Sequence, residues 1–194
     1  MPDYGRYKFF TSHYGTIAIR YNIIIRMANN LDGNNILMAN LNLDTIDMKL
    51  LAALQKNGRV TNVDLAAKVG LTAPPCLRRM RALEESGIIR SYHADVDSVS
   101  LGYTITVFAM VSLKSQAEED LRIFEEHVAS IPEIRECHML NGEIDFILKI
   151  VSKDLQAFQE LLTSQLTSAP NVTSVKTSLT IRTTKDDPGV PIEL

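Results

Sequence analysis

Thr72-Ala73-Pro74-Pro75-Cys76-Leu77-Arg78-Arg79-Met80-Arg81 decides how this chain is read. It reads as the start of a helix, basic on one side and apolar on the other, with Leu77, Met80 and Leu83 as its inward stripe. Thr72 is placed to cap it. Pro74 and Pro75 are tolerated because the first helical turn has N–H groups without intrahelical partners. Ser86-Gly87 stops it. A shorter helix opens at Thr61-Asn62, turns Leu65, Ala66 and Val69 inward, and ends at Gly70-Leu71. Gly70 supplies a turn conformation that is costly for other residues. A first helix starts near Asp44, its cap, with Asp47 in the first turn at the positive end of the helix dipole. Ile46, Leu50, Leu51 and Leu54 give its 3.6-residue stripe, and Asn57-Gly58 ends it. A helix, a short Gly-containing turn and a second helix with clustered arginines form the pattern of a DNA-binding helix-turn-helix. Ile88 to Ala94 follows as a strand, a wing or a linker strand.

Beyond residue 103 the period changes. Ile105, Val107, Ala109, Val111 and Leu113 alternate with Thr104, Thr106, Phe108, Met110 and Ser112, which predicts a strand. Residues 117–130 read as a helix with Leu121, Phe124, Val128 and Ile131 inward. Ile134 to Leu140 and Phe146 to Val151 are strands about Asn141-Gly142, a hairpin signal. Residues 154–168 form a second helix, with Leu155, Phe158, Leu161, Leu162 and Leu166 apolar. Val172 to Thr183 is a last strand. The order β-α-β-β-α-β is that of a ferredoxin-like sandwich. The fold class is therefore α+β, a winged helix-turn-helix at 41–95, a linker at 96–103, the sandwich at 104–184 and a tail at 185–194. Two helices cover one face of a four-stranded sheet. Phe108 and Met110 on the other face predict a partner, most simply a second copy of the chain.

Charge follows the same division. Residues 41–95 hold eight Lys/Arg against six Asp/Glu, and residues 98–194 hold eight against fourteen, so a basic module is joined to an acidic one. The 194-residue length suits two small domains. Residues 1–40 mix Gly, Asn, Tyr and Ile without sustained periodicity and read as a poorly ordered extension; a translation start at Met38 is one explanation for it. No apolar run reaches the roughly 18–20 residues that span a bilayer, and no signal-peptide pattern opens the chain. Cys76 and Cys137 stand far apart with no metal-ligand spacing, and their scarcity fits a reducing cytoplasm. His13, His93, His127 and His138 show no ligand spacing either, so neither a metal nor a cofactor is expected.

The chain resembles the Lrp/AsnC (feast/famine) transcriptional regulators over about residues 41–184. Leu43-Asp44, Asp47 and Leu50-Leu51 look like the family's opening helix, and Gln55-Lys56-Asn57-Gly58-Arg59 its turn. Asp64-Leu65-Ala66 and Val69-Gly70-Leu71 match the second helix and the turn after it. Cys76 to Glu84, followed by Gly87-Ile88-Ile89, matches the recognition helix and its exit. Leu101-Gly102 looks like the usual approach to the regulatory domain, and Gly142-Glu143-Ile144-Asp145 matches that domain's Gly-x-x-Asp hairpin. The N-terminal extension departs from the family.

Arg78 and Arg81, three apart, share a helix face, and Arg79 points to a flank. Guanidinium groups bind phosphate oxygens or grip guanine O6 and N7. The plain alternative is a solvated face paired with Glu84 and Glu85. Thr72 and Ala73 are placed to approach bases or phosphates, and Pro75 to pack on a thymine methyl. Thr61 and Asn62 open a helix whose N–H groups attract phosphate, although capping explains them as well. Arg90 lies where a wing touches the backbone. Cys76 is either a packing residue or a redox switch favoured by the arginines. The hairpin is the effector site the resemblance implies: backbone around Asn141, Gly142, Glu143 and Ile144 for a carboxylate, Asp145 for an ammonium group, and Met139 and Leu140 as walls. An ordinary tight hairpin with an exposed acid is its alternative.

These readings converge on a cytoplasmic, nucleoid-associated regulator of double-stranded DNA whose assembly or affinity responds to a small amino acid, an apolar one first. The resemblance implies a dimer assembling further, to octamers. Two rivals use the same scaffold: a sirohaem-decarboxylase-like enzyme subunit, and an amino-acid sensing module without DNA binding.

Overall fold

The computed structural model describes residues 43–194, so the expectations for residues 1–40 and Met38 lie outside the described residues. The chain forms two units. One comprises Ser98–Arg182; the other runs to Asp97 and is rejoined by Thr183–Leu194.

The helical unit holds α1 (Thr45–Lys56), α2 (Asn62–Val69) and α3 (Ala73–Glu85). Asp44 begins α1 with a full capping box. Its carboxylate accepts the N–H groups of Ile46 and Asp47 at 2.9 Å, and Asp47 reaches back to the Asp44 N–H. Thr61 caps α2 by accepting the Asp64 N–H. Gly70 ends α2 in the left-handed region, φ 75°. Leu50, Leu54, Leu65, Ala66, Val69, Cys76 and Leu83 make the core.

Two details of α3 differ from expectation. Thr72 stands at the cap position without a side-chain cap bond. A cap hydroxyl bonds the second or third N–H of its helix, and here those residues are Pro74 and Pro75, which have none. Leu77 is exposed, at 39%, and the inward row is Cys76, Met80 and Leu83. Ile88 to Ala94 forms no strand. A strand exists only with a hydrogen-bonding neighbour, and no other strand lies beside this segment among the described residues.

The second unit is the βαββαβ sandwich. Its elements are β1 (Ile105–Leu113), α4 (Glu118–Ala129), β2 (Ile134–Met139), β3 (Phe146–Ser152), α5 (Leu155–Leu161) and β4 (Val172–Leu179). The sheet is antiparallel in the order β2-β3-β1-β4. α5 continues as a π-helical turn, Leu162–Leu166, which the apolar periodicity does not announce. Here Thr163, Ser164, Thr167 and Ser168 hydroxyls donate to carbonyls one turn back and compete with the regular ladder. Val107, Ala109, Val111 and Leu113 bury against Leu121, Phe124, Val128, Phe158, Leu161 and Leu166, with Phe124 and Phe146 ring centroids 4.8 Å apart.

The opposite sheet face is less apolar than expected. Phe108 sits opposite Lys149 and Ser178, and Met110 opposite Ile147 and Lys176. Lys149 is paired at 2.9 Å with Glu136 on β2. Phe108 is 37% exposed. Among the described residues, no helix is long and apolar enough to cross a membrane.

Candidate functional site

The helix-turn-helix residues fall into two sets. Arg78, Arg81 and Arg90 are exposed and enter no hydrogen bond or ion pair among the described residues. Of the alternative reading's expected partners, Glu84 is engaged elsewhere, accepting the Tyr92 hydroxyl at 2.9 Å. Burial, then the hydrogen bond and negative charge of Glu84, push the Tyr92 phenol up to about 12. Thr72 is exposed at the amino end of α3 beside half-buried Ala73 and Pro75. Because the prolines leave it nothing to cap, its hydroxyl is available to an outside acceptor.

Arg79, by contrast, has partners within the helical unit. Its Nη1 lies 2.8 Å from Asp44 Oδ2 and 2.8 Å from Asp47 Oδ1, the two members of the capping box. Those carboxylates raise the guanidinium's proton affinity, through hydrogen bonds to Asp47 and then Asp44. In turn the Asp47 backbone N–H, with Arg79, holds the Asp44 carboxyl below its ordinary 3.8. Arg79 is thus a strut from the recognition helix to the start of α1, and Arg78 and Arg81 remain as the outward pair.

α2 shows a similar division. The Thr61 hydroxyl donates to Asp64 Oδ2 at 2.6 Å while accepting the Asp64 N–H, so capping accounts for it. Asn62 donates from Nδ2 to the Ala73 carbonyl at 3.0 Å and ties α2 to the start of α3. Cys76 is fully buried, and burial pushes its thiol up, the opposite of what a thiolate switch needs.

The hairpin is real but is not a two-residue turn. Six residues separate β2 from β3, and neither Asn141 nor Gly142 adopts the positive φ of a type I′ turn. The loop is closed by the Leu140 N–H on the Asp145 carbonyl at 2.8 Å. Asn141 and Glu143 are exposed, Gly142 and Ile144 half-buried, and nothing lies within 4 Å of where a Gly142 Cβ would stand. Leu140 is 38% exposed, and Met139 lines a groove of about 270 Å³ with Val128, Ile134 and Phe146.

Asp145 is not an exposed acid. It is 6% exposed, its Oδ2 accepts the Leu113 N–H at 2.7 Å, and its Oδ1 accepts from Gln116 Nε2. Its own N–H donates to Val111 at 3.0 Å. The acid therefore fastens the hairpin to the end of β1. Gln116 was not legible as its partner, since 29 residues separate the two.

Residues 43–90 match the winged helix-turn-helix DNA-binding family, and residues 106–190 match the Lrp/AsnC ligand-binding domain. A leucine-responsive regulatory protein of Rhizobium meliloti is 48% identical over 150 residues, covering 77% of this chain and 96% of that protein. The chain belongs to the Lrp/AsnC family. Other members similar to it include the Bkd operon transcriptional regulator of Pseudomonas aeruginosa, 41% identical over 72% of this chain and 92% of that one. Among solved structures, a transcriptional regulator from Neisseria meningitidis in complex with L-Met is 35% identical, with a TM-score of 0.74 over 77% of this chain and 96% of that one. An AsnC family transcriptional regulator from Agrobacterium tumefaciens is 31% identical, with a TM-score of 0.72 over 76% and 96% of the two chains. Family membership agrees with the two units seen here, a helix-turn-helix and a ferredoxin-like sandwich.

Proposed function

We propose that this Lrp/AsnC protein is a sequence-specific, DNA-binding transcriptional regulator whose DNA affinity or assembly responds to a small amino acid. The observation that carries the DNA part is the outward face of α3, where Arg78 and Arg81 have no hydrogen-bond or ion-pair partner among the described residues. Cations so placed meet phosphate oxygens or guanine edges when the helix enters a major groove. Thr72, Ala73 and Pro75 stand at the end of α3 that meets base edges, and Arg90 adds a backbone contact. Thr61 and Asn62 act from beneath, by shaping α2, with the α2 N-terminus facing a phosphate.

The effector acts at the hairpin. Backbone of Asn141, Gly142, Glu143 and Ile144 receives the carboxylate, and Met139 and Leu140 flank an apolar side chain. The L-Met bound by the Neisseria regulator supports an amino acid as the ligand class. Asp145, with both oxygens engaged, holds the loop in shape and leaves the ammonium group to other acceptors. The sheet face bearing Phe108 and Met110 joins two protomers, and dimers assemble further, to octamers, in the cytoplasm on the nucleoid. An effector shifts DNA binding only by its different affinity for the two states.

The test is fluorescence anisotropy on the chain's own upstream DNA against a scrambled duplex, at two salt concentrations, with and without pooled amino acids. The expected result is a preference for the upstream duplex that survives higher salt and moves with the pool. Equal, salt-sensitive binding to both duplexes, indifferent to amino acids, would show phosphate contact alone and contradict the proposal.

A further inference from the structure

Residues 183–194 follow the last strand of the ligand-binding unit, yet they belong to the DNA-binding unit. The contact that seats them is specific. Gln55, next to last in α1, donates from Nε2 to the Val190 carbonyl at 2.7 Å, and its Oε1 accepts the Val190 N–H at 3.2 Å. An extended residue presents its N–H and C=O on one side, and a carboxamide carries the matching acceptor and donor. Pro191 favours that extended conformation at Val190, because a residue before proline is driven out of the helical region. Gly189 completes the fit. Its φ is 86°, which favours glycine, and a Cβ there would stand 2.5 Å from Gln55 Cδ, so a side chain would displace the docked carboxamide. Pro188-Gly189-Val190-Pro191 is thus shaped to lie against the carboxyl end of α1.

The other end of α1 is also held. Asp44 and Asp47 at its start grip Arg79 of the recognition helix. We infer that the Pro188–Ile192 segment is a clip docked on Gln55, and that α1, pinned at one end to this clip and at the other to α3, is a lever between β4 and the recognition helix. The chain then runs between its units twice, once through residues 86–103 and once through the clip. Residues 180–187 join β4 covalently to the clip and so give β4 a connection to α1 that bypasses the linker. The docking stands on geometry alone; the lever rests on the proposed DNA binding by α3.

Full-length parent, Gln55→Ala and Gly189→Val separate the two. In hydrogen exchange without DNA, the 186–194 peptide of the parent should hold one amide, that of Val190, that exchanges about fivefold or more slower than in either variant. The same rate in all three overturns the docking. In anisotropy on the upstream duplex at two salt concentrations, both variants should bind about threefold to tenfold weaker with an unchanged salt slope, since no phosphate contact is removed. Parent-like affinity in variants that have lost the slow amide overturns the lever while the clip stands. A parent that binds no duplex overturns the regulator reading and the lever with it, and the exchange result still decides the docking.

Discussion

Thr61 and Thr72 occupy the same formal position, one residue before a helix, and do different things. Thr61 bonds the Asp64 N–H, whereas Thr72 faces two prolines and bonds nothing in its helix. Thr61→Ala should therefore lower the stability of the DNA-binding unit by about 1 kcal/mol, and Thr72→Ala should leave it within about 0.5 kcal/mol. Thermal melts of the two variants check this, and an equal loss in both would refute the assignment. The Pro74-Pro75 pair was visible in the sequence, and its effect on the cap could have been inferred there. The Arg79 strut could not, since its partners lie 32 and 35 residues away and only the packed helices bring them together. Tyr92 pairs with Glu84, eight residues back along the chain. Its phenol titrates near 12, so its contact with Glu84 contributes fully below the ordinary value of 10 and is lost as pH rises through about 12. A tyrosinate absorbance titration should show a last-ionising component near 12 that disappears in Tyr92→Phe.

Elements were legible where periodicity is strong and local. The stripe in α1, the alternation along β1 and the Gly70 stop all correspond to what forms, because each is decided within a turn or a strand. The failures share a cause, which is dependence on something distant. The expected strand at Ile88 to Ala94 has no neighbour to pair with among the described residues. The hairpin signal at Asn141-Gly142 marks the loop, but the loop's geometry is decided by Asp145, whose oxygens are drawn to Leu113 and Gln116. Removing that carboxylate frees a buried backbone N–H as well as the hairpin. Asp145→Ala should destabilise the ligand-binding unit by about 2–3 kcal/mol. Chemical denaturation followed in that unit measures it, and a parent-like midpoint would mean that the loop is held by other contacts.

At the scale of the molecule, the chain joins a basic module, whose Arg78 and Arg81 are exposed on one helix face, to an acidic sandwich with an open sheet. That sheet face is mixed. Phe108, Met110 and Ile147 lie among Lys149, Lys176 and the Glu136–Lys149 pair. The proposed dimer contact on this face would rest on Phe108 and Met110, with Lys149 beside Phe108 held by Glu136. Phe108→Asp should shift sedimentation equilibrium toward protomer without unfolding the sandwich, and an unchanged mass would place the contact elsewhere. Both domains were legible, the first as helices and the second as a βαββαβ sandwich, since residues 43–90 and 106–190 carry their family patterns in order. The docking of the last residues on α1 was not, because Gln55 and Val190 stand 135 residues apart.

The most direct test of the account is the salt dependence of DNA binding by parent, Arg78→Ala/Arg81→Ala and Arg79→Ala chains. The account predicts that the double variant binds much more weakly and loses about one unit of slope for each phosphate contact removed. Arg79→Ala should melt at a lower temperature yet keep the parental slope. Parental affinity and slope in a folded Arg78→Ala/Arg81→Ala chain would contradict the assignment of α3 as the helix that meets DNA.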